Sequence, residues 1–289
     1  MPTITHLIDA PRVTMGDIFL HQPLPYRGLN MVDPFLLIHH WDDLLPGGQH
    51  QSAVGVGPHP HRGFSPVTLV FNGGVHHRDT MGNNGVVYAG GTQWMNAGSG
   101  LVHSERPDKA IAEGGGRFEL IQFWVNSPSN MKMAEPSYQP LSAEHTPALT
   151  YDGGKAKIGV VNGSYGGKKG PIEATSDMLI LRAELQAGAN WDLNLPKGHN
   201  ALVYQLDGEL LYDGNTRAGA RNMAVFEPTG GVVEIQAVTD TRLIVLTGAA
   251  IGEPVATYGP FVMNTQREIV DALNDYQNGK LGHLQETFE

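Results

Sequence analysis

Turn chemistry punctuates this chain so densely that a succession of long helices is excluded. Its 289 residues include 37 glycines and 19 prolines, and between them stand short β-branched and aromatic runs. Asn72-Gly73, Asn84-Gly85 and Asp207-Gly208 are hairpin signals, placed where a tight turn needs positive φ. The pattern predicts a mostly β protein. Sustained 3.6-residue periodicity occurs convincingly once, near the C-terminus. There Thr265-Gln266-Arg267-Glu268 spells a capping box, Ile269, Leu273 and Tyr276 form one apolar stripe, and Gly279 is placed to end a short helix. Such a helix packs against a core and carries no chemistry.

Ser127-Pro128-Ser129-Asn130 opens a breaker-rich, weakly apolar stretch running through Pro136, Pro140 and Pro147. It reads as an interdomain connection, dividing the chain into 1–135 and 136–289. The two halves share a pattern. Val67-Thr68-Leu69-Val70-Phe71-Asn72-Gly73 has a counterpart in Leu202-Val203-Tyr204-Gln205-Leu206-Asp207-Gly208, and the turn Asn96-Ala97-Gly98-Ser99-Gly100 has one in Glu227-Pro228-Thr229-Gly230. Two copies of one β fold is the economical reading.

Composition removes several function classes. A formal charge of −10 and the lack of any dense Lys/Arg run leave no cation excess for a phosphate backbone, so direct nucleic-acid binding is not expected. With no cysteine, a disulfide framework, a thiolate metal site and a thiol nucleophile are all impossible. Any metal must be held by His and carboxylate. The apolar run Leu243-Ile244-Val245-Leu246 is far shorter than the roughly 20 residues of a membrane span. Met1-Pro2-Thr3-Ile4-Thr5-His6 lacks the basic-then-apolar start of a secretion signal, so a cytoplasmic protein is expected.

Within Gly57-Pro58-His59-Pro60-His61-Arg62-Gly63-Phe64 two histidines stand at i and i+2. On an extended segment they project to one side, about 6.6 Å apart along the chain, a span two imidazoles can close around one metal. His103 and Glu105, in Leu101-Val102-His103-Ser104-Glu105-Arg106, form a second same-face pair. If the hairpins fold this segment back onto the first pair, three nitrogens and one oxygen assemble. That sulfur-free set suits Fe(II), Mn, Co, Ni, Cu or Zn and leaves positions open for water, dioxygen or substrate on a six-coordinate metal.

These residues carry a resemblance. Pro58-His59-Pro60-His61-Arg62-Gly63-Phe64, His77-Arg78-Asp79-Thr80-Met81-Gly82-Asn83, and Gln93-Trp94-Met95-Asn96 running on through Gly98-Ser99-Gly100-Leu101-Val102-His103-Ser104-Glu105 resemble the pirins, members of the cupin superfamily. Tyr258-Gly259-Pro260-Phe261-Val262-Met263-Asn264-Thr265 and Asn278-Gly279-Lys280-Leu281-Gly282 resemble the family's closing segment, so the likeness covers essentially the whole chain. It implies an all-β bicupin: two jelly-roll β-barrel domains packed together, with a short C-terminal helix. It also implies one divalent transition metal, Fe(II) foremost, held in the N-terminal barrel by His59, His61, His103 and Glu105. Where cupins usually carry a glutamate shortly after the His-x-His pair, this chain has Ser65-Pro66. The pirin ligand carboxylate corresponds to Glu105, so metal binding should survive while pocket polarity differs.

Counting from the matching glycines puts Asn194, Pro196, Val233 and Ile235 at the ligand positions of the second barrel. None can replace the ligands in kind, so that site is expected to be empty, and His199 reads as a surface or packing histidine. His39-His40-Trp41 and His76-His77 are adjacent pairs that face opposite ways on a strand and read as packing; Trp94 and Met95 read as core, and Gly114-Gly115-Gly116 as a flexible loop. For several bacterial pirins the resemblance implies a dioxygenase acting on a flavonol such as quercetin, with dioxygen as co-substrate and Glu105 as ligand and proton acceptor. The alternative is a regulatory, metal-containing protein that docks on an enzyme or a transcription factor.

Overall fold

The computed structural model describes residues 1–288, and these form two compact β units. The units interleave along the chain where the sequence suggested a single cut after residue 135. One comprises Met1–Arg12, His21–Leu37 and Glu144–Ile251; the other comprises Val13–Leu20, Ile38–Ala143 and Gly252–Glu289. The C-terminal helix and tail therefore belong with the histidine-bearing strands rather than with the second half of the chain.

In the histidine-bearing unit one sheet runs Val56–His61, Leu101–Pro107, Gly74–Asp79, Asn84–Tyr88. A second runs Ser137–Leu141, Thr92–Asn96, Phe64–Asn72, Gly116–Asn126, then Phe35–Leu45, which enters this unit at Ile38. The other unit repeats the order: Asn190–Leu195, Gly231–Ala237, Leu210–Tyr212, Thr216–Ala218 in one sheet, and Asn222–Phe226, His199–Gln205, Thr241–Ala249, Met178–Leu185 within the other. Two copies of one cupin-type jelly-roll fold are thus present, as the paired turns predicted.

The stretch expected to be only a connection supplies the strand Ser137–Leu141, paired with Thr92–Asn96. The three glycines at 114–116 end a short helix, Lys109–Gly114, which the sequence reading missed. Its cap is Asp108, whose Oδ1 accepts from the N–H of Ala110 and Ile111 at 2.8 and 3.2 Å. The C-terminal helix, Gln266–Gln277, has the expected capping box and buries Ile269 together with Ala272; Tyr276 lies at the edge of the stripe, 39% exposed. No helix among the described residues is long and apolar enough to cross a membrane.

Strand register shows which residues of the second unit stand at the positions of His59 and His61. His59 pairs with His103 and His61 with Leu101, whereas Leu193 pairs with Val233 and Leu195 with Gly231. The second unit's equivalents of His59 and His61 are therefore Leu193 and Leu195, one residue from the Asn194 and Pro196 obtained by counting. Side chains alternate along Asn190–Leu195, and Trp191, Leu193 and Leu195 enter a core with Tyr212, Val233 and Ile235. Apolar side chains occupy the positions that His59, His61 and His103 hold in the other unit.

Candidate metal centre

His59 and His61 lie on the strand Val56–His61, facing His103 on Leu101–Pro107. The ladder contains a bulge: His103 pairs with His59 but Glu105 pairs with Val56, so Gly57-Pro58 adds one residue to the first strand. Proline has no N–H to lose from the ladder, and the displaced Gly57 carbonyl accepts from His59 Nδ1 at 2.8 Å. His61 Nδ1 meets the carbonyl oxygen of Pro260 at 3.2 Å. The following turn is tight. Gly63 has φ +84°, and a Cβ there would lie 2.0 Å from the Val262 oxygen, so only glycine lets the C-terminal segment approach this closely.

Those two carbonyls decide the protonation of the rings. A carbonyl oxygen only accepts, so Nδ1 carries the hydrogen in both His59 and His61, and a neutral imidazole then has its lone pair on Nε2. The two Nε2 atoms stand 3.1 Å apart, lone pair toward lone pair. His103 Nε2 is buried with no hydrogen-bond partner. One ligand nitrogen from each of the three rings lies within 4.8 Å of the others. All three histidines are held below the ordinary imidazole pKa, first by burial and, for His61 and His103, next by the neighbouring histidines. Neutral, convergent and unpartnered, these nitrogens repel one another unless a cation lies between them. The set fits a divalent transition metal.

Glu105 lies outside that group of mutually close atoms. Its Oε1 accepts from Thr68 Oγ1 at 3.1 Å and from Gln93 Nε2, and its Oε2 accepts from Gln122 Nε2 at 2.6 Å. The amides are themselves oriented: Tyr138 Oη donates to Gln93 Oε1 at 3.0 Å and Trp124 Nε1 to Gln122 Oε1 at 3.3 Å. Thr68, Gln93 and Gln122 come from three strands of the opposite sheet and supply the pocket polarity that Ser65-Pro66 does not. None was singled out in the sequence, because polar residues scattered over three strands have no common spacing.

Other expectations resolve simply. Trp94 and Met95 are core residues, 1% and 2% exposed. His199 is buried against Thr247 and Asp177. His40 is buried beside Glu119 at 3.4 Å, and with Asp42 they form a second group of close ligand atoms. There the Arg117 guanidinium reaches both Asp42, at 3.0 Å, and Glu119, at 3.4 Å, so the positive charge is already supplied. His77 is the exception to the packing reading, since it touches His103.

Comparison with known proteins gives one consistent result. The pirin family profile matches residues 18–125 and the pirin C-terminal cupin domain matches residues 180–282. A Pseudomonas aeruginosa protein named "Putative quercetin 2,3-dioxygenase" is 37% identical over 276 residues, 94% of this chain and 95% of that protein. The crystal structure of a quercetin 2,3-dioxygenase from Acinetobacter baumannii superposes with a TM-score of 0.91 at 34% identity, covering 99% of this chain and 100% of that one. A bacterial pirin from Escherichia coli, YhhW, solved in complex with nickel(II), shares the fold at TM-score 0.66 and 20% identity, over 85% of this chain and 99% of that one.

Proposed function

This chain belongs to the pirin family, and from that premise we propose that it is a metal-dependent dioxygenase that cleaves a flavonol such as quercetin. The observation that carries the proposal is the meeting of three neutral imidazole lone pairs in one half of a bicupin. The likeness to a quercetin 2,3-dioxygenase over the full chain supports the substrate class.

His59, His61 and His103 would hold the metal, Fe(II) foremost, with Glu105 as the fourth ligand. When bound, such a metal supplies Lewis acidity toward a flavonol hydroxyl and electron transfer toward dioxygen. The chain's own part lies in position and proton transfer. A carboxylate has about four lone-pair sites, of which Thr68, Gln93 and Gln122 occupy three on Glu105. The site left free on Oε2 can take a metal or the hydroxyl proton of a flavonol. His59 and Glu105 are the half-buried members of the set, while His61 and His103 are buried. Substrate would therefore approach on the His59–Glu105 side, and the buried rings of His61 and His103 would hold the metal from the interior.

The test is aerobic consumption of quercetin by protein reconstituted separately with Fe, Mn, Co, Ni and Cu. Turnover with at least one metal is expected. A Glu105→Gln variant that keeps its metal should lose about 10²–10⁴ in turnover, the range for removing a positioned general base. A fully metallated variant working at the parent rate would leave Glu105 a geometric ligand only. No turnover with any metal would overturn the dioxygenase reading in favour of the regulatory one.

A further inference from the structure

Behind His103, on the side away from His59 and His61, a line of buried groups continues. His103 Nδ1 lies 3.5 Å from His77 Nδ1, at the outer limit of a hydrogen bond, and His77 Nε2 lies 2.9 Å from Asp79 Oδ2. His77 and Asp79 are i and i+2 on the strand Gly74–Asp79 and share one face, as the other two pairs do. In the ladder Asp79 pairs with His103 and His77 with Glu105. Both His77 and Asp79 have fully buried side chains. The His77 ring is clamped by Tyr138, stacked on it at a centroid distance of 4.1 Å and an interplanar angle of 7°.

We propose that Asp79 and His77 are positioning residues that set the tautomer of His103, so that its Nε2 lone pair points at the metal. The proposal rests on the reading of His103 as a ligand. The logic is one of donors and acceptors. Asp79 Oδ1 accepts from the backbone N–H of Met81 and Asn83, and Oδ2 accepts from Asn83 Nδ2 as well as facing His77. Burial alone would raise the Asp79 carboxyl, but the hydrogen bonds from His77 and Asn83 together outweigh it and keep Asp79 below the ordinary carboxylate range. An ionised carboxylate only accepts, so His77 must present Nε2–H to it. His77 Nδ1 has one partner, His103 Nδ1, and because His103 Nε2 has no acceptor in reach, the hydrogen of the His103 ring lies on Nδ1, between the two rings. His103 supplies that hydrogen, and its Nε2 is left bare. This is the orienting role that a carboxylate plays toward a metal-bound histidine, extended by one imidazole.

Asp79→Asn inverts the argument with a minimal change. The amide oxygen can keep both backbone contacts of Oδ1, while an NH₂ replaces the oxygen that faces His77 and also Asn83 Nδ2, so the Asn83 side-chain amide must turn its oxygen toward the new NH₂ for the turn at Met81–Asn83 to be retained. That NH₂ donates to His77 Nε2. The His77 hydrogen moves to Nδ1, His103 Nδ1 becomes the acceptor, and the His103 hydrogen moves to Nε2, into the cluster.

The experiment is long-range ¹H–¹⁵N NMR of the imidazoles in the chelator-treated full-length protein, with Co(II) titration of the same samples. In the parent, His59, His61 and His103 should be protonated at Nδ1 and His77 at Nε2. In Asp79→Asn, His77 and His103 should both reverse, and Co(II) should bind at least ~10-fold more weakly. His103 carrying its hydrogen on Nε2 in the parent would overturn the proposal, as would a folded Asp79→Asn protein that binds Co(II) as the parent does. Should that variant fail to fold, the parent spectrum alone decides. A parent with the stated tautomers that takes up no Co(II) would refute the metal reading and leave the tautomer assignment standing.

Discussion

Acidification from pH 7.5 to 5.5 should destabilise the metal-free protein while barely changing how many protons leave when a metal binds. His61 and His103 are 3% and 1% exposed, and burial, reinforced by the neighbouring histidines, holds both well below the imidazole value of 6.5. The sign follows from linkage. As pH drops through 6.5 the unfolded chain takes up protons that the folded chain refuses, so the stability present above 6.5 is lost below it. At pH 5.5 each ring that stays neutral costs up to about 1.4 kcal/mol, or about 3 kcal/mol for the two. For metal binding the consequence is opposite. Two ordinary imidazoles would have to shed nearly two protons at pH 5.5, weakening apparent affinity by about 100-fold. These two have none to shed, so only His59, itself held below the ordinary imidazole value by burial, can compete, and the loss should stay under about tenfold. Denaturant titration after chelation measures the first effect; calorimetric metal titration in buffers of different ionisation enthalpy counts the protons. Release of two or more protons per metal at pH 5.5, or equal stability at the two pH values, would refute the reasoning.

His61→Ala should bind metal at least ~10–100-fold more weakly than the parent, the loss typical of damage even to an outer partner, while its circular dichroism remains β-type; unchanged metal content would mean the ligand set is wrong. Lys132→Met should lower stability by at least about 3 kcal/mol in denaturant titration. Its buried ammonium donates to Gly63 O, Asn126 Oδ1 and Val262 O at 2.8, 2.7 and 3.0 Å, and methionine leaves all three acceptors unmatched. A change within 0.5 kcal/mol would show that water replaces the ammonium.

The three histidines were legible because each lies in a same-face pair on a strand, and a strand's side-chain period is independent of what surrounds it. Glu105 reads as their partner from the same period. The structure also surrounds its carboxylate with Thr68, Gln93 and Gln122. Those donors come from the opposite sheet, and the bulge at Gly57-Pro58 changes the register between His103 and Glu105. His77 and Asp79 have the same i, i+2 spacing as the other pairs, but the neighbouring His76 makes the segment read as an adjacent, opposite-facing histidine pair. Tyr138 is hidden in a proline-rich stretch whose strand pairs with the edge of Thr92–Asn96. Pro260 reaches His61 because the C-terminal segment returns to the histidine-bearing unit. Chain order does not reveal such returns. In the second unit, one residue of difference in loop length moves the counted positions from Leu193 and Leu195 to their outward-facing neighbours Asn194 and Pro196, and neither pair offers a metal ligand in kind.

The central claim is that three imidazole nitrogens of one unit converge on a single metal ion. Its most direct test is anomalous diffraction from a metal-loaded crystal, with data collected on both sides of the metal's absorption edge. One strong peak per chain is predicted, about 2.0–2.1 Å from the Nε2 atoms of His59, His61 and His103, and none among Leu193, Leu195, Val233 and Ile235. A second peak of similar height within the other unit, or a single peak bound through any other nitrogens, would contradict it.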